Sequence, residues 1–499
     1  MERTKRFFLN GLILASTTVF LRGAGVAFNV YITNKIGAEG IGLFGLIMSV
    51  YMLATTIASS GAGLAATRLV AEEMTKNCGG GIKKSMTACM AYTAAFGLLA
   101  AVLLFTFAPY IGTRWLCDER TVIPLYLLSV SLPFIAMSSA MSGYFVAVRR
   151  IAKSASAQIF ELLVKVVVTV LALNVYGNQG IEYACIAVVG GGSVAEICSF
   201  VYLFVLYKLE NKQVQNRLEH EQHYTKRLLK IALPVAISSY LRSGLVTLEH
   251  LLVPRGLKKY GASSSASLAQ YGVVHGMVMP VILFPAAMLG AFSGLLVPEF
   301  AEFQQRKHNQ TIRRVTTRAL HTTLLFSVGM AGIFFVFAKE LGMAIYHSGD
   351  AGLFMSFLAP LIPVMYADGV VDSILKGLNQ QVYSMGYNII DSAVSVVLIY
   401  VLLPKFGVHG YVAVIFITEI LNGLLSLNRL IKITDFTVSL RHDILLPVVS
   451  ITSAAWGVRF LMMFNGYHTD SMIYAYIFCT AGIYIVFLKL CGCFKRERL

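Results

Sequence analysis

Phe7–Tyr31 reads FFLNGLILASTTVFLRGAGVAFNVY, an almost unbroken run of apolar and small residues. A helix rises about 1.5 Å per residue, so roughly 20 such residues cross the hydrocarbon core of a bilayer. The stretch is a membrane-spanning helix with one charge, Arg22, in its outer half. An arginine in mid-span costs about 2.5–3.5 kcal/mol on insertion scales, so it faces a partner or a watery cavity rather than lipid. The device returns later in the chain, where Thr18-Val19-Phe20-Leu21-Arg22 lines up with Ser238-Ser239-Tyr240-Leu241-Arg242. Two similar halves, each opening on an arginine-bearing helix, are the expectation that organises the rest.

The composition agrees. Of 499 residues, 57% are hydrophobic and 13% charged, with a mean hydropathy of +0.71. Soluble chains carry about 25% charged residues, so this is a polytopic membrane protein. The net charge of +16 does not signal nucleic acid, because the bases sit in alternate loops rather than on one patch. The eight cysteines show no disulfide or zinc spacing, and Cys491-Gly-Cys493 reads as free thiols at the end of the last helix. The basic Met1–Arg6 segment precedes an apolar run too long for a signal peptide, and no small-residue cleavage site closes it.

Fourteen spans are expected, at about 7–31, 41–61, 86–108, 122–146, 155–176, 181–207, 230–254, 268–297, 316–338, 354–378, 383–404, 408–431, 442–464 and 471–493. With the N-terminus inside, the inner segments carry 27 Lys and Arg and the outer loops 8. Cytoplasmic loops are the basic ones, which puts both termini in the cytoplasm. The segment with Arg255, Lys258 and Lys259 falls outside. The longest polar stretch, Lys208–Lys230, reads as a cytoplasmic linker. The expected organisation is an N-lobe over 1–207 (spans one to six), a linker over 208–229, a C-lobe over 230–434 (spans seven to twelve), and spans thirteen and fourteen with a tail over 435–499.

The repeat extends past the arginines. In a second register, Gln158-Ile-Phe-Glu161 matches Asn388-Ile-Ile-Asp391, Gly177-Asn-Gln-Gly180 matches Gly407-Val-His-Gly410, and Ala71-Glu72 matches Ala301-Glu302. Six spans per copy is an even number, so both copies share one orientation, a parallel repeat about an axis along the membrane normal. Spans thirteen and fourteen lie outside it. The fold class is all-α and polytopic: two six-helix lobes plus two C-terminal helices.

Several stretches carry a resemblance: Gly37-Ala-Glu-Gly-Ile-Gly-Leu-Phe44, Ala66-Thr-Arg-Leu-Val-Ala-Glu-Glu73, Gly143-Tyr-Phe-Val-Ala-Val-Arg-Arg150 leading to Gln158–Glu161, Ile231-Ala-Leu-Pro234, Leu252-Val-Pro-Arg255 and Tyr271-Gly272. In order and spacing the chain resembles the multidrug/oligosaccharidyl-lipid/polysaccharide exporter superfamily. The branch it is most similar to is the stage V sporulation protein B and polysaccharide biosynthesis flippases, relatives of the lipid II flippases. The resemblance implies two lobes in a V that open alternately, with spans one, two, seven and eight lining a cavity. It also implies a groove for a polyprenyl tail at the two extra helices, and the plasma membrane of a spore-forming Gram-positive bacterium. Lipid II flippases tend to carry a cation in span eight; here that span has no Lys or Arg, only His275.

Arg22 and Arg242, with His275, are the candidate substrate-binding residues, since guanidinium forks match phosphate geometry. The alternative for the arginines is a helix–helix ion pair or a capped carbonyl. Glu161 and Lys165 stand one turn apart on span five and read as a self-neutralising structural pair. Glu249, Asn388, Asp391 and Glu419 are candidates for coupling to Na⁺ or H⁺, the alternative being pairing with Arg242, Arg459 or Lys376. Asp368, Asp372, Asn422 and Glu196 add further intramembrane polarity. Gly190-Gly191-Gly192 lacks the Lys-Ser/Thr of a phosphate loop and reads as close helix packing or a hinge. Pro234, Pro280 and Pro285 are expected to bend spans seven and eight. No hydrolase triad, nucleotide motif, metal cluster or resident cofactor is expected, so the chain does not read as an enzyme.

Three functions compete. The first is a flippase moving a lipid-linked oligosaccharide, such as a peptidoglycan precursor for spore cortex or cell envelope, by alternating access, with that lipid and the membrane as partners. The second is a cation-coupled multidrug antiporter of the same superfamily; the absence of an acid from span one and the presence of fourteen spans weigh against it. The third is a non-transporting membrane scaffold, for which the intramembrane charges have no evident use.

Overall fold

A computed structural model describes residues 2–59, 61–75, 79–211, 224–436, 439–464 and 472–493. Most of the expected linker, from 212 to 223, and the tail from 494 lie outside these. The described chain is helical throughout and has no strand. Thirteen helical stretches are long and apolar enough to cross a membrane. They resolve into the fourteen expected spans, because two of them hold a pair of spans and one span is divided.

The paired stretches are joined by glycines. Glu2–Ser59 would be roughly 87 Å long as one straight helix, but Gly37 sits at φ 73°, ψ 178°, which ends span one and starts span two. Gln381–Thr434 breaks at Gly407, φ 56°, ψ −135°, between spans eleven and twelve. There the chain folds back so tightly that a Cβ on Gly410 would stand 2.8 Å from the carbonyl oxygen of Leu402. Only glycine adopts such torsions without cost.

The divided stretch is span eight. It runs as Ser264–Tyr271, a π-helical segment Gly272–Val278, Met279–Leu283 and Ala286–Gln305. The two junction residues, Phe284 and Pro285, keep helical torsions. The chain therefore continues forward through a bend instead of turning back. Pro285 lacks the amide that would close the helical ladder at this point. Span seven is helical from Tyr224 to Tyr260, so Lys258 and Lys259 lie on its last turn rather than in a loop.

The chain forms two compact units: Met1–Phe28 with Lys35–Leu252, and Asn29–Asn34 with Val253–Leu499. Their division falls inside span seven, whose first part packs with the first unit. The Thr247 hydroxyl donates to the Ser49 carbonyl at 3.1 Å and the Tyr240 hydroxyl to that of Ile57 at 3.2 Å. Tyr224 donates to Glu73, and Arg227 bridges Glu72 and Glu73.

Small residues set the packing of the first unit. A Cβ on Gly143 would meet the Gly63 carbonyl oxygen at 2.4 Å. One on Gly191 would meet Thr169 Oγ1 at 2.2 Å, so the middle residue of the triple glycine serves close contact between spans five and six. The core here gathers Leu69, Met86, Tyr144, Phe145, Leu203 and Leu228 from five helices. The second unit has its own core around Phe300, Leu320, Val371, Ile374, Leu375 and Leu430. Its C-terminal pair, Leu446–Phe464 and Met472–Leu490, packs on Asn309–Val336, the helix of span nine.

Candidate functional site

Both arginines belong to the first unit, Arg22 on span one and Arg242 on the part of span seven that packs with it. Both side chains are exposed, and neither has an ion-pair partner among the described residues. In a bilayer an exposed guanidinium must face water or an anion, since hydrocarbon offers it nothing.

The acids of the first unit are enclosed by hydroxyls and one ammonium. The Tyr51 hydroxyl of span two donates to Glu196 Oε2 at 2.5 Å, and Ser131 Oγ lies 2.8 Å from the Tyr51 hydroxyl oxygen. Glu161 lies against the Ser199 hydroxyl, and Lys165 acts on both carboxylates. Tyr51, Ser131, Glu161, Lys165 and Glu196 thus form a cluster drawn from four helices, in which Lys165 acts on the carboxylates without an ion pair to Glu161 within 4.0 Å among the described residues. Its local half, Glu161 and Lys165 at i,i+4, is visible in the sequence; Tyr51, Ser131 and Glu196 come from distant helices. At the turn after span one, Arg120 joins Glu39 at 3.0 Å to Asp118 at 2.7 Å.

The remaining candidates are divided between the units. Glu249 is in the first; Asn388, Asp391 and Glu419 are in the second. Glu249, Asp391 and Glu419 each have a polar or electrostatic partner. Asn388 donates to the Ser384 carbonyl at 2.8 Å, and the Ser384 hydroxyl donates to Asp372 at 2.5 Å. Asn422 donates to Asp368 at 3.0 Å. Arg459 is committed elsewhere, to the Val336 carbonyl at 2.6 Å and to Glu340 at 3.5 Å. Two buried oxygens here lack a hydrogen-bond partner, Asn422 Oδ1 and Ser395 Oγ. Ser395 stands one turn after Asp391. Among the described residues no three His, Cys, Asp or Glu side chains converge as a metal site. A Na⁺ site here would draw on amide, hydroxyl and carbonyl oxygens beside a carboxylate, which is hard-cation chemistry.

His275 is bound to the Tyr411 hydroxyl and packs against the rings of Tyr271 and Tyr411. It lies in the π-helical segment of span eight, within the second unit.

Two features escaped the sequence. An apolar cavity of about 260 Å³ opens between spans nine and fourteen, lined by Leu325, Phe326, Met330, Ile333, Tyr484 and Leu488 among others. At its edge His321 binds Asp443 at 2.6 Å and the Cys493 carbonyl at 3.1 Å. No periodicity connects residues so far apart in the chain.

The described chain is a polytopic helical fold with intramembrane arginines and acids and an appended helical pair. Residues 8–304 match the model of the polysaccharide biosynthesis protein family, and the chain belongs to that family. It is 26% identical over 505 residues to stage V sporulation protein B of Bacillus subtilis (strain 168), covering 99% of this chain and 97% of that one. It is 20% identical over 451 residues to the lipid II flippase MurJ of the same organism, covering 84% and 81%. Its fold is that of the lipid II flippase MurJ in an inward closed conformation, with TM-score 0.72 at 15% identity over 97% of this chain and 99% of the other. An inward-facing multidrug resistance MATE family transporter of the MOP superfamily has TM-score 0.64 at 14% identity, covering 86% of this chain and 100% of the other.

Proposed function

We propose that this chain is a flippase that moves a lipid-linked oligosaccharide across the plasma membrane by alternating access, with a peptidoglycan precursor as its substrate class. The observation that carries the reading is the pair of exposed arginines at matching positions on spans one and seven. A diphosphate gives two guanidinium groups charge-assisted, often bidentate hydrogen bonds; a neutral drug gives them nothing. Similarity to stage V sporulation protein B and to a lipid II flippase supports the substrate class. The apolar cavity between spans nine and fourteen suits an isoprenoid tail. The multidrug antiporter reading fits less well, since those transporters cover less of the chain and span one holds no acid. The test is mass spectrometry of lipids that co-purify with the protein. An undecaprenyl-type diphosphate glycan supports the reading, and its absence alongside enrichment of amphiphilic cations turns it towards the antiporter.

Transport is coupled to a cation held by the second unit, with Asp391, Asn388 and the free Ser395 hydroxyl supplying oxygens. Both termini and the 208–229 linker are cytoplasmic, as the 27-to-8 bias in basic residues supports. A cysteine placed at position 212 in a Cys117→Ser background, labelled by an impermeant maleimide, tests this: reaction at position 212 only after permeabilisation is expected, and its labelling in intact cells contradicts the topology.

A further inference from the structure

We infer that His321, Asp443 and the Cys493 carbonyl form a proton-dependent clamp that fastens spans thirteen and fourteen to span nine. The argument is an inventory of protons and rests on these three groups, independently of the substrate. The Cys493 carbonyl can only accept, so His321 Nε2 must carry a proton to bind it at 3.1 Å. That leaves Nδ1, 2.6 Å from Asp443 Oδ1. A bond there requires a second proton, either on Nδ1 facing a carboxylate or on Asp443 facing a bare nitrogen. In both arrangements the pair holds one proton more than neutral histidine beside ionised aspartate. Without it, two lone pairs face each other or the carbonyl loses its donor. The side chains are 7% and 3% exposed, so water does not readily replace the lost bond.

The surroundings are built for this contact. Gly492 at φ 73° turns the chain just past the last helix and presents the Cys493 carbonyl to His321. This is the structural use of Cys491-Gly-Cys493, whose second thiol is buried while its first is exposed. Asp443 is fixed by its other oxygen, which accepts the Ser439 amide at 2.6 Å. His321 also borders the apolar cavity between spans nine and fourteen. The clamp therefore holds closed one end of the seam along which that cavity opens.

The other titratable or charged groups on these elements are Arg313, Arg314 and Arg318 on span nine, Arg441 and His442 beside Asp443, Arg459 on span thirteen, and Tyr474, Tyr476, Cys479, Tyr484, Lys489, Cys491 and Cys493 on or after span fourteen. Tyr484 donates to the Leu325 carbonyl, and His442 contacts Ser439. The sign follows from the inventory: the closed clamp holds the extra proton, so acid favours closure and alkali loosens it.

The test is amide hydrogen exchange of the full chain in lipid nanodiscs, read over the end of span fourteen and corrected for intrinsic chemical exchange. Wild type should open about tenfold more at roughly pH 9 than at roughly pH 6. In Asp443→Asn the amide NH₂ donates to Nδ1 and the amide oxygen keeps the Ser439 contact, so the clamp closes without the extra proton and exchange should be flat with pH. His442→Gln should keep the wild-type slope. Equal corrected exchange in wild type at both pH values overturns the inference, as does an Asp443→Asn profile that follows wild type. If Asp443→Asn does not accumulate, the wild-type profile and the His442→Gln control decide alone.

Discussion

Span five and span eleven are copies of one helix that have diverged at one decisive position. Span five carries Glu161 and, a turn later, Lys165; span eleven carries Asp391 and, a turn later, Ser395. The first copy has its cation built into the chain, in a cluster closed by Tyr51, Ser131 and Ser199. The second has a hydroxyl where the ammonium would be, and that hydroxyl is buried without a hydrogen-bond partner. A carboxylate inside a membrane needs a positive charge nearby or a proton on it. The difference leaves the first copy with an ammonium one turn from its carboxylate and the second with a hydroxyl there, which is the contrast the proposed cation coupling rests on.

The comparison breaks most visibly if the built-in cation is removed. Lys165→Ala removes the ammonium that acts on Glu161 and Glu196. The unfolding midpoint in detergent should drop sharply and recover in part when Glu161→Gln is added. An unchanged midpoint in Lys165→Ala would show that the first copy is not neutralised by this residue. The reverse substitution sharpens the contrast. Ser395→Lys gives the second copy a tethered cation, so transport by the variant should no longer respond to a Na⁺ gradient. Retained Na⁺ dependence would place the ion elsewhere, as would a wild type indifferent to both Na⁺ and membrane potential. The smallest effect is expected at Tyr51→Phe, which deletes the donor to Glu196 and keeps the ring. A buried hydrogen bond to a carboxylate is worth about 1.5–3 kcal/mol, so the midpoint should fall modestly, with Na⁺ dependence unaltered.

The spans themselves were legible because a bilayer demands about 20 apolar residues per crossing and basic residues mark one side. Glycine marked the turns for an equally local reason: Gly37, Gly180 and Gly407 all take positive φ at junctions between spans. The Gly177–Gly180 and Gly407–Gly410 segments, matched by sequence alone, are in both copies the tight connection to the next span. Contacts between distant helices were not legible. Tyr51 reaches Glu196 across 145 positions and His321 reaches Asp443 across 122. In a chain this rich in apolar residues no pattern says which lone polar side chain meets which. The division of the units inside span seven was hidden for the same reason. Its bonds to Ser49 and Ile57 go to backbone carbonyls, which any sequence supplies.

The account stands on Arg22 and Arg242 as the groups that hold an anionic head group. Translocation of a lipid-linked oligosaccharide diphosphate, measured in vesicles with matched protein content, tests this most directly. Arg22→Lys and Arg242→Lys should each slow it, because the charge survives while the planar fork is lost. The Arg22→Ala, Arg242→Ala double variant should insert normally and reduce it by at least about tenfold, the scale of one lost charge-assisted bond. Translocation at the wild-type rate by that double variant would contradict the account.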